Sequence, residues 1–190
     1  MTSRPIHHKL RRDLEESRID GKVIVLFLPI AFVTYLIHES GHWAFGELLG
    51  NDMVLGLNSS APKSGHFIHG SHALWSALGG PAFTLLQALV FFLIARMTRS
   101  IHAYSAVFFA AFSRLFSIVF GGIDLQDEAR IASALGANKY CVAAIVMALL
   151  FLVLWWCTRM MKLKMKAVGY FAVLGTTAML IVIGVNGLIA

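Results

Sequence analysis

The residues best suited to chemistry are two histidines and a glutamate inside an otherwise apolar run. His38-Glu39-Ser40-Gly41-His42 places two imidazoles on one face of a helix, because residues four apart lie above one another. This HExxH spacing is typical of zinc sites in which the histidines bind the metal and the glutamate acts as a base. Polar and ionisable side chains in lipid cost several kcal/mol unless something offsets them. We therefore interpret the pattern as a metal site, the alternative being a chance pattern or a polar trio with satisfied hydrogen bonds.

These side chains belong to a chain whose composition is that of a membrane protein. The sequence has 190 residues and is 58% hydrophobic, with a mean hydropathy of +0.73, which is too apolar for a soluble domain. The formal net charge of +6 could indicate nucleic acid. However, the basic residues cluster beside apolar segments, where the positive-inside rule places them. The sequence predicts one integral membrane domain that contacts the lipid bilayer and binds no nucleic acid.

Apolar segments of about twenty residues, the length that a bilayer needs, recur along the chain. The predicted membrane-spanning helices are five, at residues 23–49, 73–97, 101–120, 140–158 and 168–188. The charged residues 1–22 predict a short amphipathic helix on the membrane surface, and Pro29 predicts a kink or the end of a first turn. Residues 50–72 are rich in turn-forming residues and predict a loop with a short β-hairpin through 54–57 and 66–68.

Basic residues outside the predicted spans indicate an orientation. They precede the first span and join the second to the third and the fourth to the fifth, whereas the other side carries only Lys63, Arg130 and Lys139. The positive-inside rule then places the N-terminus in the cytoplasm and the C-terminus outside. In this arrangement the end of span one, the start of span two and the end of span three lie on the same side.

A catalytic zinc ion needs three protein ligands and one open position, so HExxH alone is incomplete. The polar stretch after span three carries Asp124, Asp127 and Glu128 on the required side. Arg114 lies within span three, where it either pairs with an acidic group near the site or extends its charge to the membrane surface. The histidines 66, 69 and 72 recur in the loop, and we interpret them as solvated rather than as a second metal site.

Three segments resemble the site-2 protease family of intramembrane zinc metalloproteases. HESGH resembles the family's HExxH, including the frequent glycine before the second histidine. Residues 79–84, Gly-Gly-Pro-Ala-Phe-Thr, resemble its Gly-Pro-x-x-Asn motif, with Thr84 where asparagine is usual. Residues 127–131, Asp-Glu-Ala-Arg-Ile, resemble its Asp-Gly-x-x-Ile/Leu motif. The resemblance spans residues 23–135, and the chain departs from it in lacking the usual Leu-Asp-Gly and a PDZ-like insert.

The resemblance implies a site and an organisation. Asp127 would join His38 and His42 as the third Zn²⁺ ligand, with Asp124 as its main rival, and Glu39 would be the catalytic base. The substrate would be bound where the start of span two opens and exposes backbone groups, at Gly79, Gly80 and Pro81. The alternative is that Gly-Gly-Pro is an ordinary helix start, for which a proline in the first turn is well suited. The chain would comprise a surface segment (1–22), a three-helix metalloprotease core (23–135) and two further transmembrane helices (136–190). The family usually places its metal towards the cytosol, which disagrees with the charge rule.

The expected function is that of a zinc-dependent intramembrane endopeptidase acting on a membrane-protein substrate. We expect an all-α, multi-pass protein of the cell inner membrane, and the absence of a PDZ-like sensor suggests a partner that presents the substrate or prior trimming of that substrate. Two alternatives stay open. A lipid-modifying metalloenzyme such as a desaturase would need more histidine pairs, and a non-catalytic transporter or binding partner would not need Glu39.

Overall fold

The computed structural model of the chain describes residues 4–189, so the ends of the predicted segments 1–22 and 136–190 lie outside the described residues. Within residues 4–189 the chain forms seven α-helices and one two-stranded hairpin. In chain order these elements are α1 (Arg4–Glu16), α2 (Gly21–Leu48), β1 (Met53–Leu55), β2 (Ser60–Pro62), α3 (Gly70–Thr98), α4 (Ile101–Phe116), α5 (Asp127–Ala134), α6 (Lys139–Met160) and α7 (Met165–Ile189).

Five of these helices are long and apolar enough to cross a membrane, which confirms the predicted all-α membrane fold. Within residues 4–189 the candidate spans are α2, α3, α4 with its π-helical extension to Gly121, α6 and α7. Each predicted span coincides with one of them, and only residue 49 falls outside its helix. α2 begins where the side chain of Asp20 accepts a hydrogen bond of 2.8 Å from the Val23 N–H. The helix continues through Pro29 and does not end there.

Helix α4 lies at the centre of the bundle, and most of its side chains are buried. Phe109 packs edge-on against Phe27 of α2, with ring centroids 5.7 Å apart. Tyr104 packs against Phe171 of α7 at 5.1 Å. Lipid tails are as apolar as these rings, so close packing rather than exclusion from water holds such helices together. Because of this position, Arg114 at the end of α4 is buried in protein.

Helices α2 and α3 touch through their backbones at two glycines. A Cβ atom added to Gly41 would lie 2.2 Å from the carbonyl oxygen of Gly79, and one added to Gly79 would lie 2.1 Å from the carbonyl oxygen of Gly41. Any side chain at either position would separate the helices. This contact brings the histidine face of α2 directly against α3.

Ion pairs tie the N-terminal helix to the end of the bundle opposite the HExxH motif. The Nζ atom of Lys166 lies 2.7 Å from Oδ1 of Asp13, and that of Lys164 lies 3.0 Å from Oε2 of Glu16. The hydrogen bond from Lys166 holds the pKa of Asp13 below its ordinary value. The guanidinium of Arg99, between α3 and α4, donates to the carbonyl of Met160 at the end of α6. The basic segments therefore share one end of the molecule, as their charge pattern predicts.

The predicted hairpin exists, but its second strand is elsewhere in the loop. β1 pairs antiparallel with β2, with Met53 opposite Pro62. The turn is closed by the Gly56 N–H, which donates to the carbonyl of Ser59 at 2.8 Å. The prediction of a strand at 66–68 is wrong, because the Ile68 N–H donates to the side chain of Asn51 at 2.9 Å instead of to a β partner.

Candidate metal centre

Three donor atoms converge on one point between α2 and α5. Nε2 of His38 and Nε2 of His42 lie 3.2 Å apart. Oδ2 of Asp127 lies 3.1 Å from the former and 3.3 Å from the latter. Tetrahedral zinc with bonds of about 2.0–2.1 Å separates its ligand atoms by about 3.3 Å. The triangle therefore has the size of one face of a zinc tetrahedron, and it joins His38 to a carboxylate that is 89 positions away in the chain.

The second nitrogen of each imidazole fixes the direction of its lone pair. Nδ1 of His42 lies 2.7 Å from the carbonyl oxygen of Ser76, which can only accept, so Nδ1 carries the proton of the neutral ring. Nδ1 of His38 lies 2.9 Å from Oγ1 of Thr84, and that hydroxyl donates its own proton to the Gly80 carbonyl at 3.1 Å. Both neutral rings therefore direct the unprotonated Nε2 at the triangle, as metal-ligating histidines do.

The charge in this region also fits a divalent cation. The ionisable side chains buried here are the carboxylates of Glu39 and Glu128, the nearly buried carboxylate of Asp127 and the guanidinium of Arg114. With all three carboxylates ionised and the imidazoles neutral, these groups carry a sum of −2. Buried charges persist in proteins when they are paired or coordinate a metal. A divalent ion within the triangle would bring the sum to zero.

Gly80 leaves the room that the two imidazoles occupy. A Cβ atom added there would lie 2.2 Å from Nε2 of His42 and 2.7 Å from Cε1 of His38. The structure thus assigns Gly79 to the backbone contact with α2 and Gly80 to the space for the rings. Both glycines are buried within α3.

The prediction that residues 79–81 open the start of span two and expose backbone groups is wrong. α3 begins at Gly70 and runs without a break through Pro81, which is buried. Neighbouring helices allow proline inside a membrane helix, because other groups satisfy the freed backbone positions. The reading of Gly-Gly-Pro as an ordinary helix start is wrong for the same reason. No exposed backbone supports substrate binding at Gly79, Gly80 or Pro81.

Asp124, the rival third ligand, lies away from the triangle. Its side chain is 72% exposed, and both of its carboxylate oxygens accept hydrogen bonds from Nζ of Lys139, at 2.7 and 2.9 Å. Asp127, at the N-terminus of α5, is instead 14% exposed and contacts both imidazoles. The geometry favours Asp127.

Arg114 pairs with an acidic group beside the site, as one of the two sequence interpretations holds. Its Nε atom lies 3.2 Å from Oε1 of Glu128, and its Nη2 atom lies 2.5 Å from Oε2 of that fully buried carboxylate. The sequence indicates an arginine that needs a partner but not which carboxylate supplies it. Asp127 and Glu128 are adjacent on a helix and point about 100° apart. One can face the histidines while the other faces α4.

The catalytic candidate Glu39 faces a cavity of about 760 Å³. An oxygen of its carboxylate lies within 4.8 Å of a ring nitrogen of His38 and of a ring nitrogen of His42. The cavity is bordered by α2, α3, α4, α5, α7 and the β-hairpin, and its volume is typical of a ligand-binding site. A molecule in this cavity would contact Glu39 and the triangle of His38, His42 and Asp127 together.

The loop histidines His66, His69 and His72 do not come together with other described side chains that could bind a metal. Among residues 8–188, whose side chains the structure describes, the search for three histidine, cysteine or acidic side chains that lie within 4.8 Å of one another finds His38, Glu39 and His42 and includes no loop histidine. His66 and His69 are exposed, and Nδ1 of His72 contacts the side-chain amide of Asn51 at 3.2 Å.

Comparison of the chain with protein-family models, with curated proteins and with solved structures finds no match.

Proposed function

We propose that this chain is a zinc-dependent intramembrane endopeptidase of the cell inner membrane, which hydrolyses peptide bonds of membrane-embedded protein substrates. The observation that carries the proposal is the triangle of His38, His42 and Asp127, with side lengths of 3.1–3.3 Å. Glu39 lies beside it in a cavity enclosed by apolar helices. Three protein ligands with one open side are typical of a catalytic rather than a structural zinc site.

The chain's own residues divide the chemistry between them. A bound zinc ion would polarise the substrate carbonyl and lower the pKa of a coordinated water to about 7. Glu39 takes a proton from the attacking water and passes it to the leaving amine nitrogen. Thr84 and the Ser76 carbonyl hold the two imidazoles in the required tautomer.

A second function is favoured by one specific observation. Two histidines and a carboxylate are also the donor set of non-haem iron oxygenases. A lipid-modifying iron enzyme therefore fits the triangle itself. That chemistry assigns no role to the general base Glu39, whereas hydrolysis requires one. The identity of the bound metal separates the two functions.

The first test is the metal content of the purified protein. Wild type is compared with His38→Ala, Asp127→Ala and the matched control Asp124→Ala. We expect about one zinc per chain in wild type and in Asp124→Ala, and a loss of zinc in the other two variants. Iron in place of zinc would favour the oxygenase. A wild-type protein without metal, or zinc that none of these changes removes, would refute the proposal.

The second test is hydrolysis of a quenched fluorescent transmembrane peptide in detergent or nanodiscs. Glu39→Gln has nearly the same shape but no base, so it should retain zinc while its kcat falls by about 100-fold or more. A zinc-loaded Glu39→Gln that cleaves as fast as wild type would show that Glu39 is not the base. A zinc-loaded wild type that cleaves no transmembrane peptide would favour a non-catalytic partner protein.

A further inference from the structure

The buried guanidinium of Arg114 has more donors than its ion pair uses. Nε and Nη2 are both directed at the two carboxylate oxygens of Glu128. This two-pronged pair fixes the plane of the guanidinium, because its nitrogens form a rigid fork. The direction of the third nitrogen, Nη1, is therefore fixed as well.

Nη1 points at the metal-binding triangle. It lies 3.4 Å from Nε2 of His38, and the neighbouring Nη2 lies 3.7 Å from Oδ2 of Asp127. Arginine stays protonated in proteins, so Nη1 cannot be a metal ligand and keeps its two N–H donors. Arg114 also lines the cavity that Glu39 faces.

Metal binding at the triangle would leave Nη1 without its acceptor. The Nε2 lone pair of His38 would then be directed at the metal. Among residues 8–188, whose side chains the structure describes, His38 is the hydrogen-bond partner of Nη1. Its N–H groups would then be free to donate into the cavity that Arg114 and Glu39 both line, where an anionic or carbonyl oxygen would be the complementary group.

We propose that Arg114 is a further catalytic residue of the proposed peptidase, whose Nη1 donates a hydrogen bond to the scissile carbonyl oxygen as negative charge develops on it. Glu128 is the positioning residue that holds the guanidinium in place. This inference rests on the proposed function, since it needs a metal at the triangle. A fixed, buried donor stabilises the developing charge more than it stabilises the neutral carbonyl, so it accelerates the reaction.

A purely structural reading of the pair predicts a different set of effects. If Arg114 only braces α4 against α5, replacing both partners by neutral residues should leave the chemistry intact. The double variant Arg114→Gln/Glu128→Gln does this without leaving a lone buried charge. Arg130 supplies a matched control, because its Nη1 lies 3.9 Å from Oδ1 of Asp127 but its side chain is 67% exposed.

The test uses an anionic probe and needs no substrate. Protein loaded with Co²⁺ is titrated with acetohydroxamate, and the visible spectrum of the cobalt reports binding of the probe. We expect wild type, the double variant and Arg130→Gln each to bind about one cobalt per chain. The Kd for acetohydroxamate should rise by about 10-fold or more in the double variant, and by less than about 3-fold in Arg130→Gln. Arg114→Lys keeps the charge but loses the planar fork of the guanidinium, so its affinity for acetohydroxamate should fall as much as that of the double variant. If the double variant does not fold, Arg114→Lys takes its place in the test.

Kinetics on the quenched transmembrane peptide provide the second readout. Loss of the donor should lower kcat by about 100-fold with little change in KM, because the hydrogen bond forms in the transition state. If wild type and both Arg114 variants bind cobalt and have equal affinity for acetohydroxamate, the catalytic role of Arg114 is refuted while the proposed function stands. Failure of the wild type to bind cobalt would overturn the proposed function and this inference together.

Discussion

Gly80→Ala is the substitution whose effect on the site follows most directly from the structure. In an ordinary helix this change is favourable by up to about 1 kcal/mol. Here the new methyl group would lie 2.2 Å from Nε2 of His42, whereas an ordinary van der Waals contact is at least 3.4 Å. The imidazole must therefore move by about 1.2 Å, but metal–ligand distances tolerate only about 0.2 Å.

The expected result is a folded protein that does not hold its metal. The atom in conflict is the far end of a side chain, so the ring can rotate away without separating α2 from α3. Zinc affinity should fall by more than about 100-fold, because a displaced ligand costs more than the 10–100-fold that follows loss of a supporting hydrogen bond. Zinc content by mass spectrometry and competition with a coloured chelator measure the affinity, and thermal unfolding reports the fold.

Gly169→Ala is the matched control, since Gly169 lies inside α7 with no atom within 4 Å of an added Cβ. It should retain zinc and lose no stability. Gly41→Ala should instead destabilise the protein itself, because its conflict is with the backbone of Gly79. A Gly80→Ala protein that binds one zinc with wild-type affinity would refute the geometry on which this reasoning depends.

Three further predictions concern the ligands, the orientation and the metal. Thr84→Val removes the acceptor of the His38 Nδ1 proton and should weaken zinc binding about 10–100-fold in chelator competition, whereas Thr84→Ser should bind as wild type does. Cys141 is exposed at the start of α6, which lies at the same end of the bundle as the site. The charge rule therefore predicts that a membrane-impermeant maleimide added to intact cells labels it, with Cys141→Ala as the control. Labelling that occurs only after the cells are lysed would instead place the site towards the cytoplasm. Free zinc at 1,000 times its Kd should stabilise wild type by about 4 kcal/mol relative to chelator-treated protein, and a similar shift in the thermal unfolding of Asp127→Ala would contradict the assigned ligand.

The membrane fold can be predicted from the sequence because each membrane span is specified by a local run of apolar residues. Twenty apolar residues in a row specify a span whatever their neighbours are. Helix ends and interruptions depend on tertiary contacts instead. Pro81 resembles a helix-start residue because proline suits the first helical turn. Yet α3 begins at Gly70, since packing in the bundle supports the helix through the proline.

The site can be predicted from the sequence only in part, because some of its residues are brought together by tertiary contacts. His38 and His42 share a face because of helical periodicity, which is a local property. The approach of Asp127 depends on how α5 folds back, and the motif resemblance rather than any local pattern predicts it. Thr84 stands out in the sequence only as a departure from asparagine. Its hydroxyl nonetheless accepts a hydrogen bond from the ring of His38, a role that becomes evident only when α2 and α3 are in contact.

Several features that break the ordinary rules for membrane helices meet at one place. Such departures are expected at functional sites, because there they are retained for a reason other than stability. The Gly41–Gly79 contact brings the helices together, Gly80 leaves room for the rings, and the pair of Arg114 with Glu128 lies against the same triangle. A structural role alone would account for the ion pair. The convergence of two imidazole nitrogens and a carboxylate oxygen within 3.3 Å of one another is a separate observation. With both rings in the neutral tautomer, these three atoms direct their lone pairs at one point, which supports the proposal that a cation is held there.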